Sequence, residues 1–207
     1  LGSITRLTES GLSITKWEIV SGTLPPLTEE AWVAEFELYK ETPQYKEINE
    51  GMTFSDFKFI YFWEYFHRLW ARLMGFVFLF PFLYFLFKKL FNTHLLKRLG
   101  LVVVMSMLAA SFGWIMVASG LIERPWVNAY KLSLHLCIAF TVYAALFWTY
   151  LEYKNSKNVK LFSVGNISTF LFLIFLWLQL FFGGVMSGMK AGVYHATWPT
   201  ISGEYFP

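Results

Sequence analysis

The stretch Trp63-Glu64-Tyr65-Phe66-His67-Arg68-Leu69-Trp70-Ala71-Arg72 places a carboxylate, an imidazole and two guanidinium groups at the mouth of a long apolar segment. On a helix, Glu64, His67 and Arg68 share one face, because they are three and four residues apart. Arg72 follows Arg68 at the same spacing. Ionisable side chains at the edge of a bilayer core are costly, so this stretch is predicted to be a functional site. In the competing interpretation, both arginines only extend to the membrane interface and His67 caps them.

The composition indicates a membrane protein. Of the 207 residues, 56% are hydrophobic and only 15% are charged, which is less charge than a soluble domain carries. A membrane span needs roughly 20 apolar residues, and four segments reach that length. The predicted fold class is an all-α membrane protein, an antiparallel four-helix transmembrane bundle. Its spans A to D lie at about residues 59–88, 98–122, 131–152 and 161–189.

The polar, acidic residues 1–58 are predicted to fold as an external helical loop. A helical pattern starts at Thr28 and carries one apolar stripe. Pro43 starts a second short helix that Gly51 ends. The capping pattern Thr53-Phe54-Ser55-Asp56 then starts the helix of span A. The stripe consists of Trp32, Phe36 and Tyr39.

The distribution of cations predicts how the four spans of residues 59–189 are oriented. Lysines and arginines cluster between spans A and B and between spans C and D, so these loops are expected on the cytoplasmic or matrix side. The first segment, the loop between spans B and C, and residues 190–207 then face the other side. His67 on span A and His135 on span C are therefore expected near the same membrane face. The clustered cations are Lys88, Lys89, Lys97, Arg98, Lys154, Lys157 and Lys160.

Two histidines on separate helices at similar depth suit a six-coordinate haem iron. His67 and His135 are accordingly predicted as axial ligands. Arg68 and Arg72 lie close enough in sequence to His67 to pair with haem propionates. The alternative is that each histidine is a packed, hydrogen-bonded residue of its helix. Two further cations, Arg124 and Lys131, precede His135.

The other candidate ligands are weaker. His94 is placed in the basic loop after span A and is expected to be solvated. His195 lies in the external tail with no evident partner. Cys137, the single cysteine, is predicted to pack within span C, and no intrachain disulfide is expected.

The two ends of the chain resemble each other at a constant offset. Gly2 aligns with Gly183 and Trp17 with Trp198. Since duplicated bundles are common among membrane proteins, the repeat predicts that Leu1 is the tail of an earlier helix equivalent to span D. The chain would then be part of a larger protein. Leu1 opens no basic or apolar leader, so no signal peptide is expected.

Several long motifs resemble those of the haem A synthase family in its mitochondrial and proteobacterial form. The resemblance covers essentially the whole chain and includes the stretch around Glu64 and His67. Its motifs are Thr5-Arg6-Leu7-Thr8-Glu9-Ser10-Gly11-Leu12-Ser13, Gly22-Thr23-Leu24-Pro25-Pro26-Leu27, Tyr45 to Gly51, Glu64-Tyr65-Phe66-His67-Arg68, Ser119-Gly120-Leu121, Leu134-His135-Leu136, Met186-Ser187-Gly188-Met189-Lys190-Ala191-Gly192 and Thr197-Trp198-Pro199.

The resemblance implies eight spans in two pseudo-symmetric halves, each with a histidine pair, of which this chain is the first half. It implies oxidation of a methyl group of haem O to a formyl group, giving haem A for cytochrome c oxidase, with water as the oxygen source. His67 and His135 correspond to the first haem pair, and Glu64 to the catalytic carboxylate. The second pair, which holds haem b, has no counterpart here, so the fragment is expected to be inactive alone.

The same resemblance implies haem O as substrate and haem O synthase and an electron-transfer protein as partners, in a bacterial or mitochondrial inner membrane. A homo-oligomer is compatible with it, and nucleic-acid binding is not expected. Two alternatives stay open. One is a non-catalytic bis-histidine membrane cytochrome, which does not need Glu64. The other is a cofactor-free assembly subunit, in which Glu64 only pairs with Arg68.

Overall fold

The chain is described by a computed structural model over residues 1–16, 24–123, 125–155, 167–194, 197 and 200–205. Apart from one isolated antiparallel bridge between Ile201 and Glu204, these residues contain helices and no β-structure. The helices are α1 (Gly2–Leu7), α2 (Glu29–Lys40), α3 (Pro43–Glu47), α4 (Phe54–Phe87), α5 (Thr93–Glu123), α6 (Ala129–Asn155), α7 (Ile167–Gly188) and α8 (Ala191–Tyr194).

Four of the described helices, α4 to α7, are long and apolar enough to cross a membrane. This confirms the predicted all-α membrane class. The chain divides into two compact units, which are described separately. The first consists of residues 1–92 and 114–127, and the second of residues 93–113 and 128–207, so the two parts of α5 belong to different units.

Helix α4 begins where the capping pattern predicts. The Thr53 hydroxyl oxygen accepts a hydrogen bond from the Asp56 backbone N–H at 3.2 Å and donates to the Asp56 carboxylate at 2.6 Å. The helix then continues through Pro81 to Phe87. Its 34 residues make it about 51 Å long, whereas the hydrocarbon core of a bilayer is about 30 Å thick. The helix therefore extends beyond the hydrocarbon.

The aromatic stripe of α2 packs on the first turns of α4. Phe36 stacks on Phe57 with ring centroids 4.8 Å apart, and Trp32 meets Tyr61 edge to face at 4.9 Å. Tyr39 is completely buried in the same cluster, and burial raises the pKa of its phenol to about 12. The stripe is thus the core of a folded segment, which excludes a disordered linker.

Several predicted boundaries differ from the observed ones. Helix α3 ends at Glu47, and Gly51 instead adopts a positive φ of 79° in the turn beyond it. Helix α5 begins at Thr93, so His94 and the neighbouring cations are helical rather than in a loop. A helix satisfies its own backbone hydrogen bonds and can continue into the headgroup layer, where charged side chains are solvated. The displaced cations are Lys97 and Arg98.

His94 is exposed, as predicted, but it has neighbours in the second unit. Its Nε2 atom lies 3.6 Å from a carboxylate oxygen of Glu152 on α6 and 3.4 Å from Nε of Arg98. Other predicted features fall outside the described residues. These are Arg124, Lys157, Lys160, His195 and the first residues of span D, 161–166.

In the second unit, α6 and α7 pack closely at glycines of α7. A Cβ atom added to Gly184 would lie 2.8 Å from Oγ and 3.0 Å from Cα of Ser133, and one added to Gly188 would lie 2.6 Å from Cα of Ala129. Ser133 is buried, and its hydroxyl donates to the Phe181 carbonyl of α7. Small residues that let backbones approach in this way are typical of helix pairs in membranes.

We expect Gly184→Ala to destabilise the protein by about 1–3 kcal/mol, because the new methyl group meets the Ser133 backbone. The matched control is Gly183→Ala, since a Cβ atom there meets nothing within 4 Å. Thermal unfolding of both variants in detergent measures the difference. Equal transition temperatures would contradict the close α6–α7 contact.

Candidate functional site

Glu64 is a buried carboxylate in the first unit, with an exposed fraction of only 3%. One of its oxygens, Oε2, accepts hydrogen bonds from the Ser13 hydroxyl at 2.7 Å and from the Ile14 backbone N–H at 2.8 Å. These two donors belong to the irregular segment of residues 8–16, which follows α1. The carboxylate therefore links Ser13 and Ile14 to α4.

Arg68 completes the surroundings of Glu64. Its Nε atom donates to Glu64 Oε1 at 3.1 Å, and Nη2 donates to the same oxygen. The guanidinium also donates to the carbonyls of Ile14 at 3.2 Å and Lys16 at 3.4 Å. The i, i+4 ion pair of the alternative interpretation is thus present, but the exposed fractions of its side chains are only 11% and 4%. It is a buried pair, whose energetics differ from those of a surface pair.

The segment that carries Ser13 is held in place by its own contacts. Glu9 ends the first helix with a positive φ of 55°, and its carbonyl accepts a hydrogen bond from Gln44 Nε2 at 2.9 Å. Leu12 is buried against Gly120 of α5, where a Cβ atom would lie 2.8 Å from Leu12 Cδ2. Gly120 therefore lets the segment approach α5 closely.

His67 lies one turn from Glu64 on α4 and is partly buried. Its imidazole faces α1, because a Cβ atom added to Gly2 would lie 3.6 Å from His67 Cε1. Arg72, one turn beyond Arg68, is also partly buried. The structure thus gathers four of the five predicted site residues on three successive turns of one helix.

His135 belongs to the second unit, where its ring is fixed by α5. The Nδ1 atom lies 3.0 Å from the carbonyl oxygen of Ala109. A carbonyl only accepts hydrogen bonds, so Nδ1 carries a proton, and in the neutral imidazole Nε2 keeps its lone pair. Lys131, one turn earlier on α6, is partly buried. The described residues contain no group of three or more His, Cys, Asp and Glu side chains that could hold a metal ion.

Sequence reasoning did not identify Ser13 and Ile14 as partners of Glu64. They are about fifty residues away in sequence, and one of the two contacts is made by a backbone N–H, which no residue type reveals. A signal was nevertheless present, because Ser13 ends the first motif on which the family resemblance rests. A polar run directly after a short helix is available to supply donors to a buried charge.

Comparison with known proteins gives consistent matches over the whole chain. Residues 1–207 match a family described as cytochrome oxidase assembly protein. The chain is 42% identical to a heme A synthase of Nitrosospira multiformis, 46% to one of Flavobacterium psychrophilum and 41% to one of Parvibaculum lavamentivorans, in each case over its full length. It spans 59–62% of the length of these three relatives. No solved structure matches it significantly.

Removing Arg68 would leave a buried carboxylate without its cation. We expect Arg68→Ala to lower the free energy of unfolding by about 3–5 kcal/mol. The matched control is Glu37→Ala, which removes the exposed pair with Lys40 and should cost less than about 1 kcal/mol. Denaturant titration in detergent measures both values. If Arg68→Ala lowers the free energy of unfolding by no more than the control does, the ion pair with Arg68 does not stabilise the buried Glu64.

Proposed function

Because the chain belongs to the cytochrome oxidase assembly protein family, we propose that it forms part of a haem A synthase. The proposed reaction oxidises a ring methyl group of haem O to a formyl group. Relatives bearing the name heme A synthase support it, since they match the whole chain at 41–46% identity. The four membrane-length helices and the bacterial relatives are those of a multi-pass inner-membrane protein. We further propose that the chain is one half of a pseudo-symmetric eight-helix protein.

The structural observation that carries the proposal is the state of the His135 ring. With Nδ1 donating to Ala109, the neutral imidazole presents Nε2 as an iron ligand. Histidines that bind a metal through one ring nitrogen commonly donate a hydrogen bond from the other. The residues of this chain therefore fit a haem. We propose His135 and His67 as the axial ligands and Arg68 and Arg72 as the cations that hold the propionates.

The contacts of Arg68 limit how this cation can hold a propionate. Arg68 already makes four hydrogen bonds, two to Glu64 and two to backbone carbonyls. A guanidinium has five N–H donors in a fixed plane, so these four contacts leave Arg68 at most one N–H for a propionate. Arg72 lies one turn beyond Arg68 on the same face of α4.

The proposed oxidation converts a methyl group and one water into a formyl group, four protons and four electrons. A haem held by His67 and His135 would supply redox-active iron for this oxidation, and an electron-transfer partner would accept the four electrons. Haem O synthase would supply the substrate. The chain itself contributes positioned charge, which is worth most in a site without water.

Glu64 is the proposed source of that charge. Each of its oxygens already accepts two hydrogen bonds, so the carboxylate is held in one place as an anion. A fixed anion stabilises positive charge that develops on a carbon next to the porphyrin ring. To act instead as a base towards water, Glu64 would have to lose one of the four present donors. We therefore propose the electrostatic role.

The role of Glu64 is tested by Glu64→Gln in the full-length protein, with Ser13→Ala as the matched variant. Glu64→Gln removes the charge and should abolish haem A formation while haem remains bound. Ser13→Ala removes one hydrogen bond but leaves the charge, so most product formation should remain. Pigments are extracted and separated by chromatography. Undiminished haem A formation in Glu64→Gln would contradict the catalytic role.

The proposed ligands are tested by His67→Ala and His135→Ala. Loss of an axial nitrogen should lower the haem content and shift the Soret and α bands of the purified protein, because the iron loses its strong sixth ligand. If both variants keep the wild-type visible spectrum, the cofactor-free assembly subunit is the correct alternative. If haem binding depends on both histidines but no haem A forms in the wild type, the protein is a cytochrome.

A further inference from the structure

Two glycines in the interior of α5 have very different surroundings. A Cβ atom added to Gly100 would meet nothing within 4 Å. One added to Gly113 would lie 3.1 Å from Cε1, 3.5 Å from Nδ1 and 3.8 Å from Nε2 of His135. A Cβ atom at position 113 would therefore make a tight contact with the imidazole of His135.

The contact also involves the backbone of α5. In an α-helix, the N–H of residue 113 donates to the carbonyl of residue 109, and His135 Nδ1 lies 3.0 Å from that same Ala109 carbonyl. A carbonyl oxygen has two lone pairs and can accept both bonds. The missing side chain at Gly113 opens the approach to the second lone pair. Since glycine destabilises a helix interior relative to alanine, its presence here is explained by this approach.

We infer that Gly113 and the Ala109 carbonyl together position His135 as a haem ligand. This inference rests on the proposed function, which assigns the iron to Nε2 of His135. Gly113 does not touch the iron or the substrate in this account, so it is a positioning residue. It sets the rotation of the imidazole about its bond to Cβ and fixes the tautomer that leaves Nε2 unprotonated.

A methyl group at position 113 must push the ring away by a few tenths of an ångström or more. The ring then rotates, and the hydrogen bond from Nδ1 to Ala109 lengthens. Changes in the partner of a metal-bound histidine typically weaken metal affinity by about 10–100-fold. Ring orientation also alters the electronic structure of the iron, which is visible without any measurement of catalysis.

The experiment compares Gly113→Ala with Gly100→Ala in the full-length haem-loaded protein. The measurements are the haem content by the pyridine haemochrome method and the electron paramagnetic resonance spectrum of the ferric protein. Gly113→Ala should shift the largest g value and lower haem affinity on the order of tenfold, whereas Gly100→Ala should match the wild type. Identical spectra and haem content for the two variants would overturn the inference.

Two further variants separate the possible failures. If His135→Ala keeps the wild-type spectrum, His135 is not a ligand, and the proposed haem site fails before Gly113 is considered. If His135→Ala changes the spectrum but Gly113→Ala does not, only the positioning role is wrong. If Gly113→Ala yields no folded protein, the double variant with His135→Ala tests whether the clash with the imidazole is the cause. Removing the ring should restore folding, and failure to restore it would overturn the inference.

Discussion

A carboxylate buried in a protein is stable only when donors replace its lost water, and Glu64 meets this condition with donors from two parts of the chain. Arg68 comes from the same helix, whereas the Ser13 hydroxyl and the Ile14 N–H come from the segment after α1. Any arrangement of that segment that withdrew these donors would leave the carboxylate partly unsatisfied. This charge therefore acts together with the contacts of Glu9 and Leu12 in positioning residues 8–16 on α4.

Much of the architecture follows from local patterns in the sequence. The starts of α2 and α4 could be predicted because Thr28 and Thr53 accept hydrogen bonds from the N–H groups three residues on, which is a short-range requirement. The aromatic stripe of α2 could be predicted because helical periodicity gathers its residues on one face. The start of α5 did not follow from the sequence pattern. Charged residues indicate where the headgroup layer lies, but they do not indicate where a helix begins. Helix α5 begins at Thr93, five residues before the predicted span at residue 98.

The candidate site could be predicted only where its residues share a helix. Glu64, His67, Arg68 and Arg72 lie at helical spacing, so their grouping follows from α4 alone. The partners of Glu64 and the neighbours of His135 depend on tertiary contacts. Gly113 shows this most clearly, because a glycine in an apolar helix has no visible feature that separates it from Gly100. Only the distance to the imidazole distinguishes the two.

The packing of α2 against Phe57 and Tyr61 has a practical consequence for protein engineering. The hydrophobic core around α2 is shared with α4, so the natural boundary between exchangeable modules does not fall at the start of α4. A chimera that swaps residues 24–53 between homologues would pair mismatched aromatic surfaces. A crossover placed after Tyr61 and before Glu64 would transfer the buried aromatic residues of α2 and α4 together, while Glu64 and Arg68 stay with the recipient.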